Sequence, residues 1–287
     1  MLYFLHLLFL SALSCATVSV VAWAVYSLFW LSELYVGVLQ YEVAPFATAF
    51  AMAVFVLFST RAGEWLTREV AGCRRPPEQE WRFLRRPWER ALWGVPPERR
   101  PELYILPEDP ERPVYNAFCF GRRSVAVAWS LVCLLAPDEL AGIFAHEVGH
   151  AVTGGTDKVR ALLGASAGLS FFHAFFRGMA RWGWIVFLSG GLIVLIWIPV
   201  YVICIAAYLA LVPVYWLALA GVRVVVRRGE LEADEYAARA GLGCELARAL
   251  RRLPGQRAPL LLDFWSTHPP LEKRLRRLEA GFPKVVA

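Results

Sequence analysis

Residues 137–153 read PDELAGIFAHEVGHAVT, and the way this stretch must fold decides how the rest of the chain is arranged. Proline is tolerated at the first position of a helix, and Asp138 and Glu139 beside it suit the positive end of the helix dipole. Leu140, Ile143, Phe144 and Val148 then recur at helical spacing, which predicts an amphipathic helix from 137 to about 153. Its other face carries His146-Glu147-Val148-Gly149-His150, an H-E-x-x-H pattern. Residues four apart share a helix face, so the two imidazoles converge on one metal ion instead of merely decorating a surface. Glu147 lies one residue along, where its carboxylate can take a proton from a water held beside the metal.

Two histidines leave a catalytic zinc one protein ligand short, because such sites take three protein ligands and keep a fourth position for water. Arg227-Arg228-Gly229-Glu230-Leu231-Glu232-Ala233-Asp234 offers acids at helical spacing. Spacing alone does not separate Glu230 from Glu232 or Glu235. If Glu230 coordinates, Asp234 stands one turn away, where it can orient a ligand histidine through the free ring N–H. The six cysteines contain no C-x-x-C pair and carry no ligand spacing, so they read as reduced thiols outside the chemistry.

Outward from these motifs the chain is unusually apolar: 58% hydrophobic and 19% charged, against about a quarter charged in soluble domains. Residues 2–31 carry no formal charge, more than the roughly 20 apolar residues that cross a bilayer. A second apolar span covers about 43–60. Neither Lys nor Arg occurs before Arg61, yet seven arginines fall between 61 and 86. The positive-inside rule therefore places residues from 61 onward in the cytosol, with the first two spans forming a hairpin. The same rule explains the basic balance without invoking nucleic acid. A third apolar region runs from about 161 to 222, broken by Arg177 and Arg181; its turn falls either near those arginines or near Pro199. His173 within it reads as a packed or interfacial side chain, and His6 carries no argument.

Between 61 and about 157, proline-rich connections join short elements, and Ser124 to Trp129 (SVAVAW) reads as a strand. The segment 223–287 is polar and helical in pattern, with a break at Pro254-Gly255 and a basic amphipathic helix, LEKRLRRLEA, near its end.

Three motifs in this order, His146 to His150, Glu230-x-x-Ala233-Asp234 and Thr267-His268-Pro269-Pro270, resemble the HtpX-type family of membrane zinc peptidases, relatives of the CAAX prenyl proteases. Asn116-Ala117-Phe118-Cys119-Phe120-Gly121 resembles that family's N-A-F-x-x-G edge strand, with Cys119 where a small residue is common. The resemblance implies one Zn2+ per chain held by His146, His150 and Glu230, with Asp234 behind them and Glu147 as general base. It implies that Asn116, Ala117 and Phe118 bind an extended polypeptide substrate and that His268 hydrogen-bonds the developing oxyanion. It further implies a multi-pass protein of the inner (plasma) membrane, embedded in the lipid bilayer, with its site facing the cytoplasm and membrane proteins as substrates. The predicted architecture is a mainly α-helical integral membrane protein of about four transmembrane helices, with a cytosolic α+β zincin-like catalytic domain carrying a small sheet. Its parts are a hairpin at 1–60, the first catalytic segment at 61–157, a membrane hairpin at 158–222 and the second catalytic segment at 223–287. A competing class is a non-catalytic metal-binding membrane scaffold or sensor. The intact Glu147 argues against it, since a structural site has no use for a base beside its metal.

Overall fold

The computed structural model describes residues 7, 9–14, 16, 17, 57, 60–108, 111, 113–254 and 269–280. The first two predicted apolar spans lie almost wholly outside these residues, and so does His268. The chain separates into two units: Thr60–Arg160 with Arg223–Ala287, and Met1–Ser59 with Ala161–Val222.

In the first of these, helix α1 (Arg61–Val70) and helix α2 (Glu78–Ala91) precede a three-stranded sheet of β1 (Glu102–Leu106), β2 (Ala117–Cys119) and β3 (Ser124–Ala128). The order is β1-β3-β2, with β3 parallel to β1 and antiparallel to β2. All five residues of the central strand are buried. A strand covered on both faces needs small apolar residues throughout, which is what SVAVA supplies. β2 lies at the edge, and Ala117, Phe118 and Cys119 pair with Val127, Ala126 and Val125. Ala128 N–H donates to Asn116 O at 3.0 Å and Phe120 N–H to Ser124 O at 2.9 Å. In this alternation the backbone groups of Ala117 and Cys119 turn to the outer edge.

A short helix α3 (Trp129–Leu134) leads into α4 (Pro137–Thr153). Pro137 opens α4, and Glu139 Oε2 accepts from Ala136 N–H at 2.9 Å, satisfying a donor the first turn leaves open. Gly154, at φ 67°, closes the helix in the left-handed conformation that glycine adopts without penalty. The sequence pattern predicts an amphipathic α4, but the helix is buried nearly all round, from Glu139 through Gly149 and at Ala151. Its apolar face packs into the core, where Phe144 meets Trp88 edge-on at 5.3 Å. Its polar face is covered by the other helices of the site. Two glycines permit that approach. A Cβ at Gly142 would sit 2.4 Å from Leu246 N, and one at Gly149 would sit 3.0 Å from Ala233 Cα.

After α5 (Gly155–Ala165) comes α6 (Ala167–Trp182), then a 3-10 segment, Gly183–Ser189, then α7 (Leu192–Arg239), α8 (Gly243–Arg252) and α9 (Leu271–Glu279). The helix break falls at 183–191, with Gly190 and Gly191 at positive φ. Trp197 Nε1 donates to Gly183 O at 2.7 Å and Tyr201 Oη to Ala180 O at 3.0 Å, securing the fold-back. Pro199 sits inside α7, so the chain does not turn there. α7 runs for 48 residues and shows no break at 222, so one helix carries both the apolar stretch and Glu230. Among the described helices it is the one long and apolar enough by itself to cross a membrane; Gly155–Ala165 with Leu169–Leu188 qualifies if that bent pair is one span. Leu192, Leu195 and Leu217 on α7 are 79%, 66% and 64% exposed, an outward apolar surface that a hydrocarbon environment would cover. The described residues are mostly helical, with one small sheet.

Candidate metal centre

The close approach at Gly149 brings α7 onto α4 so that one turn of each faces the other. The imidazoles of His146 and His150 lie 4.7 Å apart between centroids and nearly perpendicular, at 84°. Glu230 Oε1 stands 3.3 Å from His150 Nε2, and Glu230 Oε2 stands 3.7 Å from His146 Nε2. Two atoms each about 2.1 Å from an ion at the tetrahedral angle are about 3.4 Å apart, so these separations fit a shared small cation. The three side chains can each offer one ligand atom, all within 4.8 Å of one another.

Behind the histidines, Asp234 Oδ1 lies 2.9 Å from His146 Nδ1. Held there, it fixes the ring with Nε2 as the free nitrogen. Asp234 is gripped in turn by Arg274, whose Nε donates to Oδ2 at 2.8 Å and whose Nη2 donates to Oδ1 at 2.7 Å. Arg274 Nη1 also lies 3.3 Å from Glu230 Oε2. Burial pushes the Asp234 carboxyl up, but the hydrogen bonds from His146 and Arg274 outweigh it and hold it at about 2. For His150, burial works against the charged ring, yet its bond to Glu230 and the charge of Glu147 prevail and raise its pKa.

Glu147, Glu230 and Asp234 are three buried carboxylates set against one buried guanidinium, Arg274. Ionised, they leave two negative charges in a dry environment, where uncompensated charge is costly. A divalent cation on two imidazole nitrogens and a carboxylate oxygen neutralises that excess, so the donor set fits such an ion.

These side chains open on a cleft of about 510 Å³ whose wall includes Asn116 to Cys119 of the edge strand, Thr156, Pro269 and Arg274. Glu147 lines it too; burial is the main cause raising its carboxyl pKa, which the charge of Glu230 reinforces while His146, His150 and Arg274 oppose. Phe118 is exposed, and Asn116 Oδ1 accepts from Ala117 N–H at 2.9 Å. The β2–β3 turn is pinned from two sides. Glu64 of α1 accepts from Arg123 N–H at 2.9 Å, and Arg122 Nε donates to Asp157 Oδ2 at 2.7 Å. Burial pushes the Cys119 thiol well up, so it stays protonated beside the cleft.

The structure thus brings together His146, Glu147, His150, Glu230 and Asp234, with Asn116, Ala117 and Phe118 on the same cleft. Glu232 and Glu235 point elsewhere, to Lys158 and Arg228 and to Arg239 respectively. His173 stacks on Tyr215 at 3.9 Å in the other unit. Sequence reasoning missed Arg274, hidden in a helix that reads as simply basic. A signal was present: Arg274 lies three residues after Leu271 and four before Leu278, on the stripe that packs inward.

Residues 91–281 match the model of peptidase family M48. This chain belongs to peptidase family M48. It is a metalloprotease, which sets aside the non-catalytic scaffold. Among curated relatives, a protease HtpX homolog of Sulfurihydrogenibium sp. (strain YO3AOP1) is 31% identical over 228 residues, covering 65% of this chain and 69% of that protein. Protease HtpX homolog 2 of Methanosarcina mazei is 27% identical over 289 residues, covering 89% and 90%. Among solved structures, S. mikatae Ste24p superposes with a TM-score of 0.51 at 18% identity, covering 80% of this chain and 57% of that one. That likeness shows that this M48 member shares its fold.

Proposed function

We propose that this chain is a zinc-dependent endopeptidase of the inner membrane that hydrolyses exposed segments of membrane or misfolded proteins, with His146, His150 and Glu230 as its zinc ligands. The observation that carries the reading is the buried Glu147 carboxylate beside two imidazoles and a third acid, in one cleft with an edge strand. Zinc bound there supplies Lewis acidity, lowering the pKa of a water and polarising the scissile carbonyl. Glu147 accepts the proton of the attacking water and passes it to the leaving amine, and its raised carboxyl suits a group that must both take and give a proton. Asp234 keeps His146 in the tautomer that leaves Nε2 free. Asn116, Ala117 and Phe118 align the substrate, because an extended peptide can add to the outer edge of β2. His268 hydrogen-bonds the oxyanion as it forms.

The membrane arrangement belongs to the same proposal: four transmembrane helices in two hairpins, within 1–60 and 158–222, and catalytic segments 61–157 and 223–287 on the cytoplasmic side. The exposed apolar side chains of α7 support it, as does the onset of arginine at 61 after sixty residues without a lysine or arginine. Quality control of damaged membrane proteins is the role that fits a broad cleft open to extended chain. Glu147→Gln is expected to abolish cleavage of a casein-like or membrane substrate while zinc content per chain stays unchanged. Cleavage at the normal rate by that variant would remove the proposed base.

A further inference from the structure

Arg274 is 4% exposed, and among the described residues the polar contacts of its side chain are to the metal centre. Its Nε and Nη2 reach the two oxygens of Asp234 in parallel, the fork geometry that only guanidinium offers a carboxylate. Nη2 donates to Asp234 Oδ1 at 2.7 Å and lies 3.4 Å from His146 Nδ1, a second donor aimed at the same carboxylate oxygen. Those two atoms are themselves 2.9 Å apart. An aspartate held by one bond can rotate about its Cβ–Cγ axis. One held by a fork cannot, so its Oδ1 stays directed at the imidazole.

Burying an arginine among apolar neighbours on the inward stripe of α9 costs stability unless its charge is matched. A leucine would continue the stripe set by Leu271, Leu275 and Leu278. The chain instead places here a cation whose guanidinium bonds Asp234 and approaches Glu230.

We infer that Arg274 is a positioning residue of the metal site: through its fork on Asp234 it fixes the His146 ring in the orientation that coordinates, and so tunes metal affinity from α9. This rests on the reading of His146 as a zinc ligand. It makes α9, which no part of the metal-ligand pattern touches, the element that orders the ligand shell.

The test uses the full-length protein in detergent, with zinc affinity measured by competition with a chromogenic chelator for the wild type, Arg274→Lys, Asp234→Asn and the double variant. Lysine keeps the buried charge, and hence the fold, but holds one carboxylate oxygen in place of two. Loss of an outer-shell partner of a ligating histidine weakens metal binding about 10- to 100-fold, and Arg274→Lys is expected in that range. Because Arg274 acts chiefly through Asp234, with Nη1 also 3.3 Å from Glu230 Oε2, the loss in the double variant should fall well short of the product of the two single losses. In zinc-saturated protein, Arg274→Lys should lower kcat more than it raises KM, since Arg274 forms only a small part of the cleft wall. Zinc affinity of Arg274→Lys equal to wild type, or losses that multiply in the double variant, would overturn the inference while leaving the zinc site standing. Failure of the wild type to bind zinc at all would overturn the underlying reading instead.

Discussion

Glu230 is buried against His146 and His150, whereas Glu232, two positions on, bonds Lys158 and Arg228 near the surface. From spacing these acids are equivalent candidates, because both sit on one helix within reach of a partner whose position the sequence does not state. Packing separates them: the turn of α7 lying against Gly149 presents Ala233 to the glycine and Glu230 to the imidazoles. Glu230→Gln is therefore expected to weaken zinc binding by about 100-fold or more, and Glu232→Gln to leave it within about twofold. Equilibrium dialysis against buffered zinc measures both. The pair His146 and His150 was legible because its geometry is local to one helix. Arg274 was not, because its partner Asp234 lies 40 residues away, and only its misfit on an apolar stripe hinted at it.

The arrangement of helices around α4 depends on two positions without side chains. At Gly142 the neighbouring atom is a backbone nitrogen of α8, and at Gly149 it is backbone of α7. Neither can swing aside as a long side chain can. Overpacking of this kind costs about 1 to 3 kcal/mol, so Gly142→Ala should lower the thermal midpoint while zinc affinity in the folded protein is retained. Gly149→Ala should lower both, since it moves the helix bearing Glu230 and Asp234 away from the histidines. Calorimetry together with the chelator assay distinguishes the two outcomes; equal zinc affinity for Gly149→Ala and wild type would contradict the role given to that contact. The ends of α4 could be read from Pro137, Glu139 and Gly154. Its burial on all sides could not, because alternation of apolar and polar residues marks a surface helix, and here the polar face is enclosed by other helices of the same unit. The strand SVAVA was legible from its composition, but its place at the centre of the sheet depends on partners separated from it by proline-rich connections.

Across the whole molecule, two charges and one surface ask for compensation. At the metal centre the buried carboxylates of Glu147, Glu230 and Asp234, when ionised, exceed the Arg274 guanidinium by two negative charges, so the metal is expected to stabilise the fold as well as the reaction. A ligand at 100 times its dissociation constant adds about 2.7 kcal/mol. Stripping zinc with a chelator should accordingly lower the unfolding midpoint by several degrees, and readdition should restore it; an unchanged midpoint would mean that the excess charge is neutralised by protons. The exposed leucines of α7 need hydrocarbon or detergent around them, and their apolar run was visible from sequence because a 20-residue span is a local signal. X-ray absorption at the zinc edge of the purified, detergent-solubilised protein tests the centre most directly. One zinc per chain is expected, with nitrogen and oxygen neighbours only, at about 2.0 to 2.2 Å, losing its third protein ligand in Glu230→Gln. A sulfur at about 2.3 Å, or a shell unchanged in Glu230→Gln, would contradict it.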